Sequence, residues 1–301
     1  MRELKHDQAV ILKGVAGQYH LHRYSPIFNG VAVPRGIFRK QNISPLPGDI
    51  VEYSKSGNPE TPYLINKILP RKNQLKRPPM VNLDVLLITV STVLPAPDFY
   101  LLDRLSAYAV MLSIQPFFLL TKMDMLEPNP RILKRILDNY RPAQFPVYQL
   151  GFHDQKELKR LKKDIAGQVV AFAGQSGAGK STLINRLFNQ DLMETGALSK
   201  KAGRGRQMTR HIELFPFENS YVADTPGFQT INLEELDLDP FKFANSYPEI
   251  KYLSAFCRFN NCTHSHEPGC AVLSAEEKEM HPERLKRYQF LRKEIEEYNK
   301  Y

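Results

Sequence analysis

The chain has 301 residues, of which 42% are hydrophobic, and it carries a formal net charge of +9 at pH 7. This length suggests about two globular domains, each with a core of its own. The longest apolar runs, such as Val85 to Val90, are far too short to cross a bilayer, and the N-terminal residues lack the apolar segment of a signal peptide. We therefore expect a cytoplasmic protein with no membrane partner.

The positive charge is concentrated near the N-terminus. Residues 1–79 contain 13 basic and 5 acidic side chains, which is an excess of 8 out of the total of 9. A basic surface of this kind favours phosphate-rich partners, most simply RNA, although an anionic membrane would attract it too. Short apolar stretches separated by Gly, Pro and Asn turn signals predict a small antiparallel β-barrel over residues 1–70. The basic, proline-bearing residues 71–82 are expected to be a linker.

Strand-like and helix-like segments alternate in the middle of the chain. Buried-type strands are expected at 85–90, 117–120, 145–148 and 169–173. Helices are expected between them, near 98–113, 130–140 and 154–163. This alternation predicts an α/β domain over residues 83–235, with a parallel sheet covered by helices on both faces. Residues 236–301 lack strand signals and predict a mainly helical module that ends on a charged amphipathic segment at 283–298.

Residues 174–181 match the full phosphate-loop pattern, with the sequence GQSGAGKS between an apolar strand and a helical stretch. The glycines let backbone N–H groups turn toward phosphates, Lys180 reaches the β- and γ-phosphates, and the Ser181 hydroxyl coordinates Mg²⁺. The alternative is an ordinary glycine-rich turn, which the complete pattern in this context disfavours. The expected nucleotide-binding residues here are Gly174, Gln175, Ser176, Gly177, Ala178, Gly179, Lys180, Ser181 and Thr182.

A second phosphate-side motif, Asp224-Thr-Pro-Gly227, follows the strand-like residues 221–223. A carboxylate at a strand end suits Mg²⁺, held directly or through water, and a glycine N–H suits the γ-phosphate. The string alone is also typical of a plain turn. Because it lies about 45 residues after a phosphate loop, we assign Asp224 to magnesium and Gly227 to the γ-phosphate.

A candidate base-reading motif, Thr121-Lys122-Met-Asp124, stands at the end of the apolar strand 117–120. One carboxylate can accept hydrogen bonds from both the N1–H and the exocyclic amine of guanine, so Asp124 is the candidate base reader. Lys122 would lay its apolar stem along the purine. Such four-residue strings are common at polar strand ends. Together with a phosphate loop and a magnesium carboxylate, however, this one predicts a guanine nucleotide.

The order of the motifs is rotated, since the base reader precedes the phosphate loop by about 50 residues, whereas an ordinary GTPase has the phosphate loop first. A doubly wound sheet tolerates such a permutation when its original termini lie close together. In this order, and over nearly its whole length, the chain resembles the ribosome small-subunit-dependent GTPases, a bacterial family of circularly permuted GTPases. The resemblance also rests on the barrel segment 35–39, the Pro-Gly-Asp at 47–49, the linker 71–77, the Gly/Arg stretch 203–206 and the cysteine cluster.

This resemblance implies an N-terminal oligonucleotide-binding (OB) barrel, GTP hydrolysis stimulated by the 30S subunit during its late maturation, and a C-terminal zinc domain. The cysteines, Cys257, Cys262 and Cys270, all lie in one short segment with His264 and His266. In a reducing compartment this clustering favours metal over disulfide, and three thiolates with one imidazole suit a structural Zn²⁺. The family pattern implies that His264 is the imidazole ligand. Three free buried cysteines are the alternative.

The family also implies that Thr209 is the switch threonine that binds Mg²⁺ when the γ-phosphate is present. The Gly/Arg-rich residues around it suit a mobile switch, although they would equally suit a solvated loop or an RNA contact. Relatives carry His-Thr before this threonine, where the chain has Gln207-Met208, and Phe228 stands where many GTPases have a water-orienting glutamine. We hypothesise that Gln207 or a ribosomal group positions the attacking water, with Lys180 and Thr209 completing the catalytic set.

The function expected from the sequence is therefore GTP hydrolysis coupled to the 30S subunit and its 16S rRNA, by a monomer that uses Mg²⁺ with GTP or GDP and one structural Zn²⁺. Two alternatives remain. One is a non-catalytic RNA-binding assembly factor gated by nucleotide. The other is an ATPase or nucleotide kinase, for which Asp124 would be incidental. Gln149-Leu-Gly151 also departs from the Ser-Ala type of guanine contact, so the backbone contact there is open.

Overall fold

The computed structural model describes residues 4–40, 43–76, 78–125, 130–188, 212–224 and 240–298. The strands, in chain order, are β1 (Gln8–Val15), β2 (Gln18–Arg23), β3 (Phe28–Pro34), β4 (Ile50–Lys55), β5 (Tyr63–Ile68), β6 (Gln74–Leu75), β7 (Met80–Val81), β8 (Val85–Ser91), β9 (Gln115–Thr121), β10 (Val147–Leu150), β11 (Val169–Gly174), β12 (Glu213–Phe217) and β13 (Ser220–Asp224). The helices are α1 (Ile37–Lys40), α2 (Phe99–Met111), α3 (Arg131–Tyr140), α4 (Gln155–Asp164), α5 (Lys180–Phe188), α6 (Pro240–Ala244), α7 (Pro248–Ser254) and α8 (Pro282–Tyr298).

The first five strands form the predicted barrel, closed in the order β1-β2-β3-β5-β4. Alternate side chains along its strands point inward, as the two-residue period of a strand requires. The barrel differs from the expected antiparallel arrangement at one pair, because β3 and β5 run parallel. Strand β4 and helix α1 lie between them in the chain, so β5 returns beside β3 in the same direction. The core consists of Ala9, Ile11, Leu21, Ala32, Phe38, Val51 and Ile65.

The stretch expected to be a linker is ordered. Strands β6 and β7 pair antiparallel within it, and Leu75, Met80 and Val81 are fully buried. The Arg71 guanidinium donates from Nε and Nη2 to the two carboxylate oxygens of buried Asp49, both at 2.8 Å. A two-pronged arginine–carboxylate contact fixes orientation as well as distance. The start of this stretch is thus held to the barrel rather than tethered loosely.

The central sheet has six strands in the order β10-β9-β8-β11-β13-β12. Pairs β9/β10 and β11/β13 are parallel, as predicted, and the edge strand β12 is antiparallel to β13. All seven residues of β8 and all six of β11 are buried. Strands covered on both faces read as unbroken apolar runs, which is why the sequence revealed them.

The helices of this domain lie within two residues of their expected bounds. Strand β10, in contrast, begins two residues later than the expected 145–148. Pro146 explains the shift, because it has no N–H to donate to a strand ladder and its carbonyl instead accepts from the Phe118 N–H at 2.8 Å. Among the described residues, no helix is long and apolar enough to cross a membrane.

A buried ionic cluster attaches the C-terminal helix α8 to the rest of its unit. Asp103 of α2 is fully buried and pairs with both Arg284 and Arg287 of α8. It also accepts a 2.8 Å hydrogen bond from the Tyr140 hydroxyl. The Arg284 guanidinium additionally pairs with Glu249 and lies 4.5 Å above the ring of Tyr247. Two arginines buried this deeply are tolerated because each meets a carboxylate.

We expect Asp103→Asn to lower the free energy of unfolding by about 3–5 kcal/mol, because two buried guanidinium groups lose their shared counter-charge. Urea denaturation followed by circular dichroism measures this change. The matched control is Glu294→Gln, which removes the ion pair that Glu294 of α8 makes with Arg104 of α2. Both side chains are partly exposed, so this loss is expected to cost about 0–1 kcal/mol. Equal losses in the two variants would contradict the role given to Asp103.

Candidate functional site

The phosphate loop connects β11 to α5 and adopts a backbone that only glycine accommodates easily. Gly174, Gly177 and Gly179 have φ angles of 122°, 76° and 91°. A Cβ atom on Gly174 would stand 2.3 Å from the carbonyl oxygen of Thr89. The positive φ values turn successive N–H groups inward, which is the arrangement that binds phosphate oxygens. Ser181 and Thr182 follow in the first turn of α5, next to the positive end of its dipole.

The Lys180 side chain extends back toward the start of this loop. Its ammonium group donates to the carbonyl oxygens of Gly174 at 2.6 Å and Gln175 at 2.7 Å. Burial lowers the pKa of Lys180 to about 8, because the charged form loses hydration there. A phosphate group placed in the loop would return favourable charge to this ammonium group. The chain thus holds a partly desolvated cation where the β- and γ-phosphates are expected.

The base-reading motif is clamped to the phosphate loop by its side chains. The Thr121 hydroxyl donates to the Ala178 carbonyl oxygen at 2.7 Å. The Lys122 ammonium group donates to the Gly177 carbonyl oxygen at 3.0 Å and also to Leu94. The two motifs are about 50 residues apart in sequence, and these contacts bring them together as one site.

Asp124 lies in a short 3-10 turn just beyond β9, and its carboxylate is held by the neighbouring strand's loop. Its Oδ1 accepts a hydrogen bond from the Phe152 backbone N–H at 2.8 Å. Gly151 lies so close that a Cβ atom added there would stand 3.5 Å from the Asp124 nitrogen. Because β10 pairs with β9 in parallel, with Leu150 opposite Thr121, both segments end at the same sheet edge.

Residues 151–152 therefore adjoin the candidate base reader, and the sequence pattern did not identify Phe152. The departure Gln149-Leu-Gly151 drew attention to this segment, but Gln149 itself is exposed on β10 beside Leu120. The contacts with Asp124 come from the backbone two and three residues later. The position of this segment in the sequence could have predicted its place near the site, because binding loops in open α/β sheets follow the carboxyl ends of the strands.

The magnesium-side residues are only partly described. Asp224 is the last residue of β13, which runs parallel to β11 with Ala223 opposite Ala171. It therefore occupies the carboxyl end of a strand, as predicted. Thr209, Gln207, Gly227 and Phe228 lie outside the described residues.

The cysteine cluster forms a second candidate site, in the C-terminal module. Ligand atoms of Cys257, Cys262, His264 and Cys270 all lie within 4.8 Å of one another. The Cys257 sulfur is 3.7 Å from His264 Nδ1 and 3.9 Å from the Cys270 sulfur, and His264 Nδ1 is 3.4 Å from the Cys270 sulfur. Four ligands at zinc bonding distances in a tetrahedron stand roughly 3.3–3.8 Å apart. The residues therefore fit a tetrahedral Zn²⁺, and the three cysteines are not disulfide-bonded.

The loop that carries the imidazole is braced by its neighbours. The Glu267 carboxylate accepts from the backbone N–H groups of Thr263 at 2.6 Å, Ser265 at 3.0 Å and His266 at 3.1 Å. Burial raises the pKa of Glu267, but hydrogen bonds from the Thr263 hydroxyl and from backbone N–H groups of the loop outweigh it and hold that pKa well below its usual value. The Gln289 amide donates to the His264 carbonyl oxygen at 2.8 Å. His264 thus faces the cysteines, whereas His266 is exposed and outside the cluster.

Burial shapes the acid–base chemistry of the cluster. It raises the pKa of the Cys262 thiol to about 12 and also raises that of Cys270, while it lowers the pKa of His264. An apolar setting disfavours thiolates unless a cation compensates their charge. A bound dication would supply that compensation, and a neutral imidazole is the form that ligates it.

We expect His264→Ala to reduce bound zinc from one equivalent to a small fraction of that, because the tetrahedral set loses a ligand. Elemental analysis of the purified, dialysed protein measures the zinc content. His266→Ala is the matched control and should retain the full equivalent. Loss of zinc in the His266 variant with retention in the His264 variant would reverse the ligand assignment.

Comparisons with known proteins agree on one family. The model of the RsgA GTPase family matches residues 68–234. The chain is 37% identical over 296 residues to the small ribosomal subunit biogenesis GTPase RsgA of Ruminiclostridium cellulolyticum, covering 97% of this chain and 95% of the relative. It is also 37% identical over 269 residues to the protein of the same name from Lactococcus lactis subsp. lactis, covering 87% and 85%.

Solved structures give the same result. The crystal structure of YloQ, a circularly permuted GTPase, matches with a TM-score of 0.81 and 30% identity, covering 98% of both chains. The crystal structure of YjeQ from Thermotoga maritima matches with a TM-score of 0.79 and 25% identity, covering 96% of this chain and 98% of that one.

Proposed function

The chain belongs to the RsgA GTPase family and is a GTP hydrolase, and from this premise we propose that it binds the 30S ribosomal subunit and acts late in its maturation. The relatives are named for small ribosomal subunit biogenesis. The observation that supports the proposal best is the clamp between Thr121, Lys122 and the phosphate-loop carbonyls, because it joins base reading and phosphate binding in one site.

The proposed nucleotide is GTP or GDP with Mg²⁺. Asp124 reads the base, with Phe152 holding its carboxylate in orientation. Lys180 and the loop N–H groups of residues 174–182 hold the β- and γ-phosphates. The hydroxyl of Ser181 and the carboxylate of Asp224 bind Mg²⁺, and the metal would neutralise charge on the phosphates. Thr209 and Gly227 complete the set when the γ-phosphate is present.

Asp124→Asn is expected to weaken GTP binding by at least about 100-fold, because two hydrogen bonds to a carboxylate are each worth roughly 1.5–3 kcal/mol. Xanthine carries a carbonyl where guanine has its amine, and an asparagine amide can donate to that carbonyl. The variant should therefore gain affinity for xanthosine triphosphate. Fluorescent-nucleotide displacement by GTP, xanthosine triphosphate and ATP measures all three affinities. Unchanged GTP affinity, or efficient competition by ATP against the unaltered chain, would contradict base reading by Asp124.

The proposed partner surface includes 16S rRNA. The barrel lies within the N-terminal 79 residues, which contain 13 basic and 5 acidic side chains. This excess of positive charge favours binding to a phosphate backbone. A single structural Zn²⁺ on Cys257, Cys262, His264 and Cys270 would fix the C-terminal module. We expect a monomer, located in the cytoplasm where bacterial ribosomes are assembled. GTP binding would order the switch around Thr209 and favour gripping of rRNA, and hydrolysis would release it.

The attacking water needs a positioning group, which we propose to be Gln207 or a group supplied by the ribosome. Phe228 cannot take this role, because a phenyl ring neither donates nor accepts the necessary hydrogen bond. Gln207→Ala should lower GTP hydrolysis measured on 30S subunits while leaving GTP affinity unchanged. Hydrolysis at the parental rate would exclude Gln207 and leave the ribosomal group. Gln149→Ala, on an exposed strand position, is a suitable control.

The proposed function is tested by steady-state GTP hydrolysis with and without purified 30S subunits at fixed salt. We expect slow GTP turnover by the protein alone and stimulation of at least about tenfold by 30S subunits. The reason is that the 30S subunit would supply or order the group that positions the attacking water. Stimulation by 50S subunits should be absent. GTP binding without turnover in either condition would favour a non-catalytic assembly factor.

A further inference from the structure

Three aromatic rings stand exposed in a short segment of the C-terminal module, and the nucleotide and metal sites do not use them. Tyr252 and Phe256 are 67% and 65% exposed, and Phe259 is 41% exposed. Tyr252 and Phe256 contact each other with ring centroids 5.6 Å apart. Exposed apolar side chains scattered singly are ordinary, but a group of large rings indicates a binding surface. We call residues 251–260 the aromatic platform.

The backbone of the platform is held by hydrogen bonds and carries one residue of the Cys/His cluster. Cys257, one of the four ligands, stands between Phe256 and Arg258 in the chain. The Arg258 N–H donates to the Gly269 carbonyl oxygen at 3.0 Å, and the Cys262 N–H donates to that of Phe259 at 3.2 Å. Rings fixed in this way lose little conformational entropy when a ligand binds.

The charges around the rings are positive. Lys242, Lys251 and Arg258 are exposed. The one acidic residue between 240 and 262 is Glu249, which is buried and paired with Arg284. Phosphate would therefore meet cations here without facing a free carboxylate from the same segment.

A cleft of about 270 Å³ adjoins the platform beside Phe259. One cation and several hydrogen-bonding groups line it, namely Lys242, Asn245, Ser254 and Asn260, and it borders the metal cluster at Cys262 and His264. Asparagine carries both a donor and an acceptor, so it can bond the edge of a nucleobase. A second cleft, which Tyr252 itself lines, contains Arg141 and Lys278 together with two carboxylates, Glu249 and Glu279. The cationic side of the rings is therefore the one that faces the first cleft.

We propose that the aromatic platform binds unpaired nucleotides of RNA, with Tyr252 and Phe256 stacking on bases and Lys251 and Arg258 contacting the flanking phosphates. This proposal rests on the proposed function, which supplies rRNA as the partner, and it specifies single-stranded rather than helical RNA. Stacking requires bases that are splayed from a helix. Exposed rings interleaved with cations are the combination that binds single strands. An apolar protein partner would leave these cations without counter-charges.

The location of binding is tested by photo-crosslinking of the intact, zinc-loaded chain to a short single-stranded RNA that contains 5-iodouridine. This probe crosslinks to aromatic rings that stack on it. Trypsin cuts after Lys251 and Arg258, so Tyr252 and Phe256 share the peptide 252–258. We expect mass spectrometry to identify crosslinks on this peptide. Crosslinks confined to the barrel would overturn the proposal.

The stacking contribution is tested with the double variant Tyr252→Leu/Phe256→Leu, which keeps apolar bulk but removes both rings. Binding to 30S subunits and to the single-stranded probe should weaken by at least about tenfold, because each stacked base is worth roughly 1–3 kcal/mol. Tyr298→Leu, which removes an exposed ring at the end of α8, is the matched control and should bind normally. Zinc content must remain one equivalent in both.

The ionic contribution has a different signature. The double variant Lys251→Gln/Arg258→Gln should lower the slope of log RNA affinity against log salt concentration by the contribution of about two phosphate contacts. The ring variants should leave this slope unchanged. If the ring variants lost 30S binding but kept RNA affinity, the platform would bind a ribosomal protein and the proposal would be wrong. If the platform neither crosslinked to RNA nor contributed to RNA affinity while 30S subunits still stimulated hydrolysis, only this inference would be overturned. Absence of stimulation in the unaltered chain would overturn the proposed function instead.

Discussion

The nucleotide site depends on hydrogen bonds from two side chains at the end of one strand to the backbone of the phosphate loop. Thr121 and Lys122 donate to the carbonyl oxygens of Ala178 and Gly177. Both contacts use carbonyl oxygens, so they leave the N–H groups of the loop available to phosphate. Because Asp124 follows two residues later, the same contacts fix the distance between the candidate base reader and the phosphate loop. The rotated motif order leaves this geometry intact, since it depends on which strands are neighbours and not on where the chain begins.

In the C-terminal unit, buried charges attach helix α8 alongside its apolar packing. Asp103 joins α2 to α8 through two arginines, and Glu249 adds α7 to the same cluster. Buried ion pairs add little net stability compared with apolar packing, but breaking one is costly. Their directionality therefore specifies how α8 is seated. Helix α8 in turn supplies Gln289, which holds the His264 loop, so the ionic cluster and the metal cluster are parts of one arrangement.

The metal cluster has a second consequence beyond stability. The rings of Phe256 and Phe259 lie on the loop that carries the Cys/His cluster. The module also has an apolar core, to which Phe243, Tyr288 and Leu291 contribute. A metal held by the cluster would fix the loop relative to that core. A rigid, partly apolar and cationic surface follows from that arrangement.

The sequence by itself determined the local features: the glycine pattern of the phosphate loop, the Cys/His spacing, the strands buried on both faces and the concentration of charge in residues 1–79. Each is a pattern of neighbouring residues that a few local rules recognise. Tertiary structure alone decided that Phe152 holds Asp124 and that Asp103 meets Arg284. These contacts join backbone groups or residues up to 181 positions apart. No local pattern records them, because they depend on which strand ends and helices the fold places side by side.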